Sequence, residues 1–198
     1  MTKYILAGGN DRTVDNYPAI LKRELPKTLS EVRLLSCFFS VSKEEWQEKS
    51  QSWQKWFADK LGIEHYDWAN YDNFTDKLGQ TDIVYFHGGN TKLLLKQIVN
   101  YPQLQKLFDG KIVIGSSAGA NMLSKNYWSS TLAEPGKGLG VLDINIMVHY
   151  GANELGGSNI RRDANDWEQE KKAFQDFIGT KQPVTPIPEG NIKVFESA

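Results

Sequence analysis

The chain is poor in the residues that build cross-links and metal centres: one cysteine, Cys37, and three histidines, His65, His87 and His149, in 198 residues. A lone cysteine excludes an internal disulfide framework. There is no His-Glu-x-x-His and no clustered Cys/His set, so no metal and no cofactor is expected. Charge of one sign is lacking too. The formal net charge is −1, which provides neither a basic footprint for nucleic acid nor an acidic tail. No apolar run approaches the roughly 20 residues that span a bilayer, and the opening Met1–Ala7 lacks the long apolar stretch of a signal peptide. Internal repeats and low-complexity tracts are absent. These exclusions leave a soluble, cytoplasmic protein with no nucleic-acid or membrane partner. Its length suits one domain over residues 1–198 with a substantial core.

Short apolar runs alternate with helical patterns. Strands are expected at Tyr4–Ala7, Val32–Phe39, Ile63–Tyr66, Ile83–His87 and Lys111–Ile114. The clearest helix opens with Ser42 and Glu45, a capping-box pair, and carries Trp46, Trp53, Phe57 and Leu61 on one face before Gly62 stops it. A second starts at Asn90-Thr91 and carries Leu93, Leu94, Leu95 and Ile98. This alternation predicts a parallel sheet covered on both faces, with sites outside the carboxyl ends of its strands. Beyond Ser130, Leu132 to Gly140 reads as a loop, Leu142 to Tyr150 contains a strand ending near His149, and a helix runs from about Asp166 to Ile178. Pro183 to Pro188 reads as a broken, edge-type segment.

Gly115-Ser116-Ser117-Ala118-Gly119-Ala120-Asn121 follows the apolar Ile112-Val113-Ile114 and opens a helical pattern. It has the form of a nucleophile elbow, G-x-S-x-G, in which small residues let strand and helix approach around a strained serine. A serine hydroxyl needs a base to take its proton. His149 is the only histidine after Ser117 and is the preferred base; His87 suits a wall residue better, and His65 a structural role. The carboxylate that orients the base is open on spacing alone, among Glu134, Asp143, Glu154, Asp163 and Glu189. The backbone N–H of Ala118 is the usual first oxyanion donor, and Gly88 or Gly89 is placed to supply the second. In the same turn Asn90 is also a natural N-cap.

Gly-Gly-Asn-Thr at 88–91, the elbow at 115–121, the isolated His149 and Pro-Glu-Gly-Asn at 188–191 together resemble the dipeptidase E family of serine peptidases, related to cyanophycinase. Gly8-Gly9-Asn10 resembles the turn after that family's first strand. The resemblance covers nearly the whole chain. It implies a three-layer α/β sandwich with a mostly parallel central sheet, similar to class I glutamine amidotransferases. It implies a Ser117–His149–Glu189 triad, oxyanion donors at Gly89 and Ala118, and substrate contacts at Gly88, Asn90 and Arg161, with Arg162 adjacent. The implied activity is hydrolysis of short peptides, including dipeptides that begin with aspartate, by a monomer or homodimer. The sequence departs from the family at Ser158-Asn159-Ile160-Arg161, where aspartyl-specific members carry Gly-Glu-Thr-Arg, and it stops at Ala198, soon after Glu189. Two rivals stand beside this reading. One is a small-ester hydrolase, against which no histidine follows Glu189. The other is a non-catalytic binding or sensing protein on a glutamine amidotransferase-like scaffold, in which Cys37 would be buried core rather than a nucleophile.

Overall fold

In the computed structural model, which describes residues 1–10, 12–155 and 160–197, the alternating pattern becomes strands and helices in regular succession. The first part runs β1 (Thr2–Ala7), α1 (Tyr17–Lys22), β2 (Arg33–Cys37), α2 (Trp46–Trp56), β3 (His65–Ala69), α3 (Phe74–Gly79) and β4 (Ile83–Phe86). It continues through α4 (Thr91–Ile98), α5 (Leu104–Leu107), β5 (Ile112–Ser116) and α6 (Ala118–Leu123). The remainder comprises β6 (Ser124–Ser129), β7 (Glu134–Lys137), β8 (Leu142–Val148), α7 (Ala164–Ile178), β9 (Val184–Ile187) and β10 (Ile192–Ser197).

Six strands form one sheet in the order β10-β1-β5-β4-β2-β3, parallel except for β10, which runs antiparallel along β1. Strand residues alternate between its faces, as a pleat with period two requires. Ile5, Leu34, Ile83, Tyr85 and Ile114 pack with Tyr17, Leu21, Phe57 and Leu61 on one side. Leu6, Leu35, Val84, Phe86 and Val113 pack with Phe74, Leu94, Ile98 and Phe108 on the other. Each such side chain, once buried, contributes about 1.5–3 kcal/mol. The result is helix, sheet and helix, an α/β fold. Cys37 is fully buried, and burial pushes its thiol pKa up.

Local signals account for the helix ends. Ser42 and Glu45 form a capping box at the turn that leads into α2, and the helical run ends at Gly62 with φ +79°. Asn90 caps α4 by accepting from Leu93 N at 3.0 Å. Asp163 caps α7 with bonds from Asn165 N and Asp166 N.

The second part departs from expectation. A four-stranded sheet, β7-β6-β8-β9, stacks Tyr127, Ile146, Val148 and Ile187 on the main core. Its other face covers α7 through Trp128, Met147, Trp167 and Phe174. The segment expected to be a loop contains β7, whose Glu-Pro-Gly-Lys composition argues against a strand and whose edge position permits the proline. The third strand begins at His65 rather than Ile63, because Ile63 packs into the core beneath the end of the α2 segment.

His87 follows β4 and is buried among rings: it stacks on Phe38 at 4.2 Å and lies 4.5 Å from Trp53 and from Tyr85. Its Nε2 is 2.9 Å from Ser36 Oγ. Burial holds its pKa well below the usual histidine range, and the Arg12 and Lys49 charges add to the effect. The unfolded chain therefore takes up this proton first, near pH 6.5, and stability present above that pH is lost as pH falls toward the folded value. The urea unfolding midpoint is expected to drop between pH 7.5 and pH 5, and to drop less in His87→Phe. Equal drops in the two proteins would contradict this account.

Candidate active site

The register of the parallel strands brings three chain reversals to one edge. Ala7 pairs with Ser116 across β1 and β5, and Phe86 pairs with Gly115 across β4 and β5. The turns after β1, β4 and β5 are therefore neighbours at the carboxyl ends. Ser117 stands at the apex of the third turn with φ +48° and ψ −104°, a conformation that L side chains rarely adopt. Close packing makes room for it. A Cβ at Gly119 would lie 2.2 Å from Phe86 O, and one at Gly115 would lie 2.6 Å from the Gly119 backbone.

Ser117 Oγ lies 2.8 Å from His149 Nε2, and His149 Nδ1 lies 2.6 Å from Glu189 Oε1. Asn10 Nδ2 donates to Glu189 Oε2 at 2.6 Å. The imidazole and carboxylate are largely shielded, with side-chain exposures of 16% and 19%. Burial raises the Glu189 pKa, but hydrogen bonds from His149 and Asn10 and the His149 charge outweigh it, and the net shift is downward. The carboxylate thus stays ionised and accepts from Nδ1–H, which leaves Nε2 free to take the hydroxyl proton. Such a chain can activate a serine as a nucleophile.

The last residue of β1 and the three that follow it hold this arrangement. Ala7 O accepts from Ser117 N, Gly8 O from His149 N and Gly9 O from Gly190 N, each at 3.0 Å. Gly9, at φ +101°, lies flat against the imidazole, and a Cβ there would sit 2.2 Å from His149 Cε1. Asn10, at φ +55°, sends its amide to Glu189. In the sequence Gly8-Gly9-Asn10 stands out only through the family resemblance, which assigns Asn10 no role. Its position at a strand end beside the other two turns is the signal that identifies it.

The turn at 87–90 lies opposite. Ser40 Oγ donates to Gly88 O at 2.7 Å and is 3.0 Å from His87 O, while Ser40 O accepts from Asn90 N at 2.8 Å. Carbonyl and N–H point opposite ways in a trans peptide, so anchoring Gly88 O on Ser40 turns the Gly89 N–H away from it. A Cβ on Gly88 would approach Ser117 Cβ to 3.3 Å. Ala118 opens α6 directly behind the serine. Asn90 uses its side chain as a helix cap. Ser40 was not foreseen, since nothing in the sequence links it to a turn 47 residues away.

Of the two neighbouring arginines, Arg161 is exposed and sits in an isolated bridge with Glu154, and it is not among the residues lining the cavities beside Ser117. Arg162 is buried. Its Nε is 2.5 Å from Glu170 Oε1, it donates to Ser130 O, and its guanidinium lies 5.4 Å from the Trp167 ring. Ser158 and Asn159, part of the departing loop, lie outside the described residues. A cavity of about 250 Å³ opens beside Ser117, lined by Asn90, Thr91, Asn121, Tyr127, Ser130 and His149 among others. In its wall Asn121 Nδ2 donates to Thr91 Oγ1 at 3.1 Å, and Asn121 Oδ1 is buried without a partner among the described residues. His65 lies exposed at the start of β3.

A serine, an imidazole and a carboxylate joined at the carboxyl edge of a parallel sheet define a serine hydrolase of α/β architecture. The chain belongs to peptidase family S51, whose model matches residues 40–196, and it is a serine peptidase. None of the curated proteins matches it. Among solved structures, a protein from Listeria monocytogenes EGD-e named as a candidate peptidase E is similar over 100% of both chains, with a TM-score of 0.63 and 19% sequence identity. That likeness speaks for the fold. Among the described residues, no helix is long and apolar enough to cross a membrane.

Gly9→Ala is expected to lower kcat about 100-fold by displacing the imidazole from Ser117, with circular dichroism unchanged. Activity within twofold of the parent would show that the glycine does not set this geometry.

Proposed function

We propose that the protein hydrolyses short peptides, dipeptides foremost, through Ser117, His149 and Glu189 by way of an acyl-enzyme. The unbroken chain of contacts from Ser117 Oγ to Asn10, at 2.8, 2.6 and 2.6 Å, carries this reading. Ser117 Oγ attacks the scissile carbonyl while His149 Nε2 takes its proton, and Glu189 stabilises the imidazolium. The negative oxygen of the tetrahedral intermediate accepts from the backbone N–H groups of Gly89 and Ala118. The C–N bond then breaks as His149 protonates the leaving amine. A water molecule, deprotonated by His149, attacks the acyl carbon, and Ser117 leaves with the proton returned.

The size of the first cavity favours short substrates, because about 250 Å³ is below the roughly 300–1,000 Å³ of drug-sized sites. The hydroxyl and amide groups of Thr91, Asn121, Ser129 and Ser130 give that cavity a polar wall for the substrate's terminal ammonium. Preference for an aspartate at the first position finds less support. Arg161 is directed to solvent, and Arg162 is already neutralised by Glu170. Asn90 and Gly88 contribute through backbone and turn shape, since the Asn90 side chain is committed to α4.

Ser117→Ala is expected to reduce dipeptide turnover by at least about 10⁴-fold and to abolish labelling by a fluorophosphonate probe, with an unchanged thermal midpoint. Labelling or turnover that survives this substitution would overturn the assignment.

A further inference from the structure

A second cavity, of about 470 Å³, meets the first at Ser117, and its chemistry is different. Gly9, Asn10 and His149 line it together with Arg12, Lys49 and Trp53. Among the described residues no carboxylate lines it. The first cavity also contains a cation, Lys92, but that ammonium is paired with Glu134 at 2.6 Å. Arg12 forms no ion pair among the described residues. Its guanidinium lies 4.8 Å from the centre of the Trp53 ring and donates to Ser52 Oγ. Both partners belong to α2, where Lys49 and Trp53 are one turn apart and share a face. Lys49 has one ion-pair partner among the described residues, the exposed Glu45 just before α2, at 3.4 Å. Both cations oppose protonation of His87, so their fields converge on the floor of this cavity. The guanidinium is thus held in place before any ligand arrives, with donors to spare.

The position of the charge relative to the reacting bond follows from the base. His149, the proposed donor of the proton to the leaving amine, lines both cavities, and Gly9, on which its imidazole packs, lines only the second. A leaving group on the Gly9 side of the imidazole would run toward Arg12 and Lys49. One extended residue spans at most about 3.3–3.6 Å, so the terminus of a one-residue leaving group remains inside a cavity that begins at Ser117.

We propose that this second cavity is a carboxylate site, in which Arg12 and Lys49 hold the free C-terminal carboxylate of a dipeptide. The proposal rests on the peptidase reading above and adds to it the reason for stopping at two residues. A longer peptide, or one with an amidated end, places a neutral group against two cations and forgoes the charge-assisted bonds.

Binding tests this apart from turnover. In a Ser117→Ala background, Ala-Leu and Asp-Leu are titrated calorimetrically beside their C-terminal amides. The free acids are expected to bind at least about tenfold more tightly, and Arg12→Gln/Lys49→Gln to reduce that ratio to within about twofold by weakening the acids alone. Equal affinity for acid and amide, a ratio that survives the double substitution, or no binding of any of the four peptides overturns the site. Asp-Leu amide binding as tightly as Asp-Leu also overturns it, because the recognised carboxylate would then be the first side chain. Hydrolysis of the same peptides by the wild type is read separately. Absence of hydrolysis with the acid preference intact overturns the peptidase reading and leaves the carboxylate site standing.

Discussion

The geometry of the site depends on the end of β1 and the turn that follows it. Three backbone carbonyls, of Ala7, Gly8 and Gly9, and the Asn10 side chain bind in succession the segments that carry Ser117, His149 and Glu189. Those side chains lie 32 and 40 residues apart along the chain, on segments that would otherwise be placed independently. A reacting geometry tolerates errors of only about 0.5 Å, which flexible loops do not supply on their own. Backbone bonds to a strand inside the sheet do. The β1–β5 register sets the height of the serine, and the same turn then sets the imidazole and the carboxylate against it. Gly8 and Gly9 are required because other chains pass too close for a side chain: a Cβ on Gly8 would meet Pro188 O at 2.0 Å.

Strain is concentrated where this turn restrains it. Ser117 at φ +48° and His149 at φ +58° each occupy sparsely populated backbone conformations, at a cost of about 1–3 kcal/mol apiece. Both N–H groups are tied to the β1 turn, and the serine is followed immediately by a helix whose residues are all buried. A serine in a relaxed loop would avoid the cost and lose its fixed approach to Nε2. The burial of Glu189 follows the same logic. Taking a carboxylate out of water is unfavourable, and the bonds from His149 and Asn10 more than offset it.

The sequence made some of these parts legible and hid others, for physical reasons. The elbow could be read because strand, small residues and helix lie consecutively. His149 could be read because so few histidines exist. Glu189 could not be separated from its rivals by spacing, yet their surroundings distinguish all five: Glu134 pairs with Lys92, Asp143 with Lys125, Asp163 caps α7, Glu154 lies exposed in an isolated bridge, and Glu189 meets His149. β6 and β7 were invisible because Ser-Lys-Asn-Tyr-Trp-Ser and Glu-Pro-Gly-Lys acquire strand character only from pairing partners. The two arginines were indistinguishable as neighbours in sequence. In extended backbone adjacent side chains point to opposite sides, which places Arg161 in solvent and Arg162 under Ser130.

The proposed catalytic and recognition elements consequently occupy different parts of the fold. Ser117, His149 and Glu189 are fixed by the turn after β1, at the edge of the main sheet. The first cavity is walled by Tyr127, Ser129 and Ser130 from the second sheet, with Arg162 and Glu170 bracing it from behind. The second cavity is lined by Gly9, Asn10 and His149, and also by Arg12 and by Lys49 and Trp53 of α2. Glu189 is held by His149 and Asn10, and neither the second sheet nor α2 supplies a hydrogen bond to it among the described residues. If Ser117 is the nucleophile and the two cavities hold the peptide, substitutions on β6 or along the Lys49–Trp53 face of α2 would change which peptide fits without moving Ser117. Substitutions in Gly8–Asn10 would act in the opposite sense, disturbing Ser117 and His149 for every substrate alike. On the proposed mechanism the topology thus separates kcat from KM: the turn after β1 would govern the rate, and the second sheet and α2 the choice of substrate.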